Sequence, residues 1–206
     1  MPDVFEVLGA AHREVEQMLD QMQSMMNSPG QPPSELRDQG GWLADAVISA
    51  VSQHEAAEEK YFWPLVKEKV ADGHSLAVGG IDQETEGKKV LTELDGMAPG
   101  DPQFIPLMHK FTHAARAHIA YEEQQVWPGL RAVLSADEAA DLGEKLARAT
   151  KTGPTRPHRH TPPDPAMLKV AGLALAASDK LRDALSGRDD QNDYGWDDRG
   201  AVEAPL

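Results

Sequence analysis

Two segments of this chain repeat one pattern: His54-Glu-Ala-Ala-Glu58-Glu-Lys-Tyr-Phe-Trp63-Pro64 and His118-Ile-Ala-Tyr-Glu122-Glu-Gln-Gln-Val-Trp127-Pro128. Each sets a histidine and a glutamate four residues apart, one turn along a helix, where both side chains leave the same face and can hold a common ion. One such pair is an ordinary surface feature. A repeated pair, with Ala, Glu, Trp and Pro also in matching places, demands a fold that brings two helices together around a shared cation.

Apolar residues recur at helical spacing between Pro and Gly breaks. A first helix, capped by Asp3 and Glu6, is expected to run to about Met26 with an inward seam of Phe5, Leu8, His12, Val15, Leu19 and Met22. The methionines from Met18 to Met26 read as adaptable core filling. After Pro29 to Pro33, Ser34 opens a second helix whose seam is Val47, Val51, His54, Glu58, Tyr61 and Leu65, with Pro64 placed to kink or end it. A connection from Asp72 to Gly80 leads to a third seam of Ile81, Glu84, Gly87, Leu91 and Leu94. A fourth carries Phe104, Leu107, Phe111, Ala115, His118 and Glu122. Ser135 and Glu138 form a capping box for a shorter fifth helix.

The expected fold is therefore all-α, an antiparallel up-down four-helix bundle over residues 1–150 with an additional C-terminal helical or extended segment. Residues 151–165 are rich in Pro and His and should be extended. Residues 166–186 are expected to form a helix packing back through Leu168, Leu175 and Leu181, and residues 187–206 a disordered acidic tail. His158 and His160 read as solvated linker histidines.

Three histidines and three glutamates thus fall on core-facing positions: His12, His54, Glu58, Glu84, His118 and Glu122. Ionised carboxylates in an apolar bundle are strongly unfavourable unless paired or bound to a cation. Two divalent or trivalent ions would satisfy the set, with carboxylates bridging and imidazoles completing each shell. The chain has no cysteine, so any such shell is nitrogen and oxygen. A net charge of -14 argues against nucleic-acid or membrane-surface partners. The N-terminus has neither the basic start nor the apolar core of a secretory signal, so the cytoplasm is the expected location.

These residues resemble the hemerythrin-like, or HHE cation-binding, proteins. That family places a His on the first helix, His-x-x-x-Glu on the second, a His on the third and His-x-x-x-Glu on the fourth. The match covers His12, His54 with Glu58, and His118 with Glu122. The resemblance implies a non-haem centre of two Fe ions, oxo- or hydroxo-bridged, although the same ligands also suit Mn.

The third helix departs from the family pattern. Aligning Glu84 to Leu91 with His12 to Leu19 puts a glutamate where the family has histidine, with Gln83, Asp82 and Glu86 as alternatives if the helix is rotated. A carboxylate in place of a neutral imidazole stabilises the ferric state and lowers the reduction potential, which works against reversible oxygen carriage.

The expected function is redox or oxidative-stress chemistry, with catalase-like decomposition of hydrogen peroxide as its activity. The alternative is a protein that binds or senses O2, NO or iron without turnover, and a third possibility is a metal-stabilised interaction module. Tyr61 and Tyr121 are expected to pack in the core, with a hydrogen bond to a bound ligand, or ligation of ferric iron, as the competing role. Glu55 and Glu59 are expected on a solvated face, although Glu55 could ligate. His109 and His113 lie about 180° and 140° around the helix from His118 and should face elsewhere. Trp63 and Trp127 are expected to close the bundle end. A monomer or weak homodimer is the expected assembly.

Overall fold

The computed structural model describes residues 2–27 and 33–157. The helix expected at 166–186, the tail at 187–206, His158 and His160 lie outside the described residues, as does most of the linker at 151–165. The described elements are α1 (Val4–Asn27), α2 (Pro33–Ala57), α3 (Trp63–Lys69), α4 (Gly73–Leu94), α5 (Phe104–Tyr121), α6 (Trp127–Val133) and α7 (Ala136–Thr152). Single π-helical turns join α2 to α3 (Glu58–Phe62) and α5 to α6 (Glu122–Val126). The fold is an all-α helical bundle.

Its core has two apolar layers. Val15, Leu19, Val47, Val51, Leu91, Leu94, Phe104 and Phe111 belong to one. Phe5, Leu8, Phe62, Trp63, Ala77, Val126, Trp127 and Leu130 belong to the other. α1 and α4 run from the second layer into the first, whereas α2 and α5 run from the first into the second, so successive long helices are antiparallel. His12, the His54–Glu58 pair, Glu84 and the His118–Glu122 pair occur where each helix passes between the layers. They form a polar stratum in the middle of the bundle.

The first seam is buried as expected from Phe5 to Met22, and a reciprocal cap forms at its start. Glu6 N–H donates to Asp3 at 2.8 Å and Asp3 N–H donates to Glu6 at 2.9 Å. The second seam holds through Glu58 and then shifts. Beyond Glu58 the fully buried residues are Phe62, Trp63 and Val66, while Tyr61 and Leu65 are only half-buried. The π turn is the cause: Trp63 N–H bonds the Glu58 carbonyl five residues back, which inserts one residue into the helical period. Pro64 does not end the helix, because it stands in the first turn of α3, where its missing N–H is no loss.

The expected connection at Asp72 to Gly80 is instead the first part of α4, which begins at Gly73. Ala77 and Gly80 are buried there, and the helix survives its glycines because the Trp63 indole lies directly against Gly80. Burial of this close-packed face outweighs the propensity cost of about 1 kcal/mol per glycine.

α7 lies against α1 and α2. Its capping box is complete: Ser135 N–H donates to Glu138 at 2.9 Å, and Glu138 N–H donates to Ser135 Oγ at 3.3 Å. Gly143 lets α7 meet the chain entering α1, since a Cβ there would come within 2.7 Å of the Pro2 carbonyl. Ser135→Ala is expected to destabilise the protein by about 0.5–2 kcal/mol, read as a lower thermal midpoint. Among the described residues no helix is long and apolar enough to cross a membrane.

Candidate metal centre

All six residues singled out in the sequence meet in the polar stratum. One donor atom from each of His12, His54, Glu58 and Glu122 lies within 4.8 Å of every other, and the same holds for Glu58, Glu84, His118 and Glu122. The groups share Glu58 and Glu122, both fully buried. Glu122 stands between two imidazoles, with Oε2 3.1 Å from His12 Nε2 and Oε1 3.1 Å from His118 Nε2. His54 Nε2 is 3.2 Å from Glu58 Oε1. The rings of His12 and His54 meet edge to face at 5.1 Å.

These atoms are close without satisfying one another. His12 Nε2, His118 Nε2, both oxygens of Glu58 and of Glu122, and Glu84 Oε2 are buried without a hydrogen bond of acceptable geometry. A native core does not gather so many unsatisfied polar atoms by accident. A cation coordinated by them supplies what is missing, so the side chains fit a metal on their chemistry as well as their positions.

Charge in the cluster is strongly redistributed by burial. Burial, reinforced by the Glu122, Glu84 and Glu55 carboxylates, raises the Glu58 carboxyl well above its ordinary range. Burial does the same for Glu84, although Lys88 partly opposes it. His54 falls to about 3 because burial and neighbouring His12 disfavour its cation. Burial opposes ionisation of Glu122, but the close approach and positive charge of His118 and His12 win and hold it well below its ordinary value. Burial likewise lowers His12 and His118, yet Glu122 together with Glu123 beside His12 and Glu84 beside His118 outweighs it, and the net shift of each is upward.

A second set of residues orients the donors. His12 Nδ1 is 2.9 Å from Glu123 Oε1, and His118 Nδ1 is 3.2 Å from Gln83 Oε1, which aims both Nε2 atoms at the cluster. Trp63 Nε1–H donates to Glu84 Oε1. Trp127 stacks on His12 with ring centroids 5.4 Å apart and 14° between planes. The two tryptophans therefore do more than close the bundle end: each rests on a donor contributed by another helix. Gln83, an alternative ligand in the sequence, holds His118 instead.

The solvated face expected for Glu55 and Glu59 requires correction, and Tyr61 and Tyr121 pack against the apolar core and do not reach the donors. Glu55 is 4% exposed, not solvated, and Glu59 is only partly exposed; both surround a buried Lys88. Tyr121 points its hydroxyl away from the cluster and donates to the Leu76 carbonyl at 2.9 Å. Tyr61 is turned out by the π turn into a surface cleft with Lys60, Lys145, Arg148 and Lys151. His109 and His113 are exposed, as their angular positions required. Glu123 and Lys88 had a legible signal in hindsight: Glu123 adjoins a ligand in the repeat, and Lys88 stands one turn after Glu84.

Beside the donors lies a cavity of about 30 Å³, lined by His12, His54, Glu55, Glu84 and His118 and by apolar residues including Val15, Val51 and Phe111.

An antiparallel helical bundle with His and Glu side chains converging from four helices defines a class, the metal-binding helical bundles. Within that class the chain belongs to the hemerythrin HHE cation binding domain family, whose pattern it matches over residues 3–151. An uncharacterized hemerythrin-like protein of Schizosaccharomyces pombe is 29% identical over 136 residues, spanning 66% of this chain and 67% of that protein. A DNA nickase of Nostoc is 20% identical over 103 residues, 50% of this chain but 29% of that protein. The crystal structure of a hemerythrin HHE cation binding domain-containing protein from Mycobacterium kansasii superposes with a TM-score of 0.61 at 18% identity. The superposition covers 82% of this chain and 99% of that one, a likeness in fold.

Proposed function

We propose that His12, His54, Glu58, Glu84, His118 and Glu122 hold two iron ions, and that the protein decomposes hydrogen peroxide in redox or oxidative-stress chemistry. The observation that carries this reading is the 30 Å³ cavity against the donors. It is large enough for a molecule the size of water, dioxygen or peroxide and far too small for an organic substrate.

When bound, the ions supply electron transfer and Lewis acidity toward a peroxide oxygen. The chain's residues define the conditions for that chemistry. Glu58 and Glu122 reach both donor groups and so suit a bridging role. Glu123 and Gln83 hold the imidazoles in one orientation, and Trp63 holds Glu84. Val15, Val51 and Phe111 give the cavity an apolar wall opposite the donors. Glu84 adds negative charge where a neutral imidazole would otherwise stand, favouring the ferric state and peroxide turnover over reversible oxygen carriage. Manganese is compatible with the same donors.

Iron-loaded protein is expected to evolve dioxygen from hydrogen peroxide well above an equal concentration of free iron, measured with an oxygen electrode. Evolution no faster than free iron would reject the activity. One observation favours a second reading, binding of O2 or NO without turnover: neither Tyr61 nor Tyr121 offers a hydroxyl to the cavity. A spectral change with NO in protein that evolves no oxygen would select it.

A further inference from the structure

The two donor groups are chemically unlike. One presents two imidazoles and two carboxylates, the other one imidazole and three carboxylates. Among the described residues a buried lysine stands beside the second. Lys88 Nζ lies 3.8 Å from Glu84 Oε2 and 3.8 Å from Glu55 Oε2, and it pairs with Glu59. Lysine is almost never this buried unless paired, and here it is 8% exposed. A cation packed against a donor of a cation site has a consequence for that site.

The internal repeat shows how this arose in chemical terms. Overlaying the halves matches Glu84 with His12, Glu59 with Glu123 and Lys88 with Glu16. In one half the repeated glutamate, Glu123, meets a ring nitrogen of the donor itself. In the other half its counterpart, Glu59, meets Lys88, which in turn faces the donor carboxylate. The exchange of imidazole for carboxylate is thus matched by an exchange of acid for base one turn further on.

We propose that the two halves of the centre are unequal by construction, and that Lys88 is the positioning residue that makes them so, acting through Glu84 as a buried counter-cation that weakens binding of the second ion. The inference rests on the two-ion reading above. A borderline divalent ion enters the imidazole-rich group first, since nitrogen donors favour it and Lys88 stands beside the other group. The second ion enters beside Lys88, where repulsion across several ångströms of protein is worth about tenfold in affinity or more.

Anaerobic titration with Co2+, followed by visible absorption and calorimetry, tests this. Wild-type protein should take up two Co2+ in resolved steps. Lys88→Gln should tighten the second step by about tenfold or more and leave the first unchanged, while Lys88→Arg should behave as wild type. Lys88→Met, which keeps the apolar stem and removes the charge, should act in the same way as Lys88→Gln and decides the matter if Lys88→Gln does not fold. Unaltered steps in the folded charge-removing variants, or an equal change in both steps, would overturn the inference. Uptake of fewer than two Co2+ by wild type would instead reject the two-ion reading beneath it.

Discussion

Replacing Glu58 with glutamine is expected to eliminate binding of both ions while leaving the chain folded. Glu58 contributes to both donor groups, and neither of its oxygens has a hydrogen-bond partner. Glutamine keeps the shape but removes the charge and turns one oxygen into an N–H2 that cannot coordinate. The fold should tolerate the change, because burial and the surrounding carboxylates already favour the neutral acid at this position. An amide in place of a neutral acid is a small perturbation.

The measurements are metal content and thermal midpoint with and without chelator. Wild type at free metal a thousandfold above its Kd gains about 4 kcal/mol from binding, and Glu58→Gln should lose that difference. His12→Ala makes the contrast, since His12 belongs to one donor group only and its loss should spare the other. Retention of both ions by Glu58→Gln would refute the shared-carboxylate arrangement.

The second large effect is expected from a single methyl group. A Cβ at Gly80 would overlap the six-membered ring of the Trp63 indole, which is fully buried and packed edge to face on Phe62 at 4.9 Å. The ring has no free space to enter, so Gly80→Ala should cost roughly 1–3 kcal/mol through overpacking. It should also detach Trp63 Nε1 from Glu84 and weaken the carboxylate-rich group selectively. A lower thermal midpoint, altered tryptophan fluorescence and a weaker second binding step are the readouts. Gly100→Ala, where an added Cβ meets nothing within 4 Å, is the control and should be silent. An unchanged midpoint in Gly80→Ala would contradict the packing described for Trp63.

Helical periodicity made the bundle legible because burial of an apolar stripe and the 3.6-residue period are two views of one constraint. His12 and Glu84 could be picked out as polar interruptions of such stripes. The same reasoning misplaced Tyr61 and Leu65, since periodicity assumes a constant turn and the π turn after Glu58 breaks it. It placed Glu55 in solvent because a charged residue beside a seam is ordinarily exposed. The partner that permits its burial, Lys88, comes from a helix distant in sequence. Contacts such as Trp63 on Glu84 and Gln83 on His118 depend on the rotation of one helix against another, which no local pattern encodes. The seams and the repeat supplied the donor set, the family resemblance supplied two iron ions as its expected occupants, and the structure supplied the residues that hold the donors in place.

The two π turns carry a consequence for how this chain can vary. In a regular α-helix a residue five positions beyond Glu58 would lie about 140° around the axis, facing away from Glu84. The extra residue turns Trp63 inward, and its counterpart does the same for Trp127 after Glu122. Between each glutamate and its tryptophan, the number of residues matters more than which residues they are: Lys60 and Tyr61 stand opposite Gln124 and Gln125 in the repeat with little in common. Inserting one residue in either segment would leave every donor in the chain and still carry that tryptophan about 100° further around, off the donor it now rests on. Deleting one would set it about 40° from the glutamate in a regular α-helix, on nearly the same face. Segment length is the hidden specification of this centre, written in the spacing of the chain and not in its chemistry.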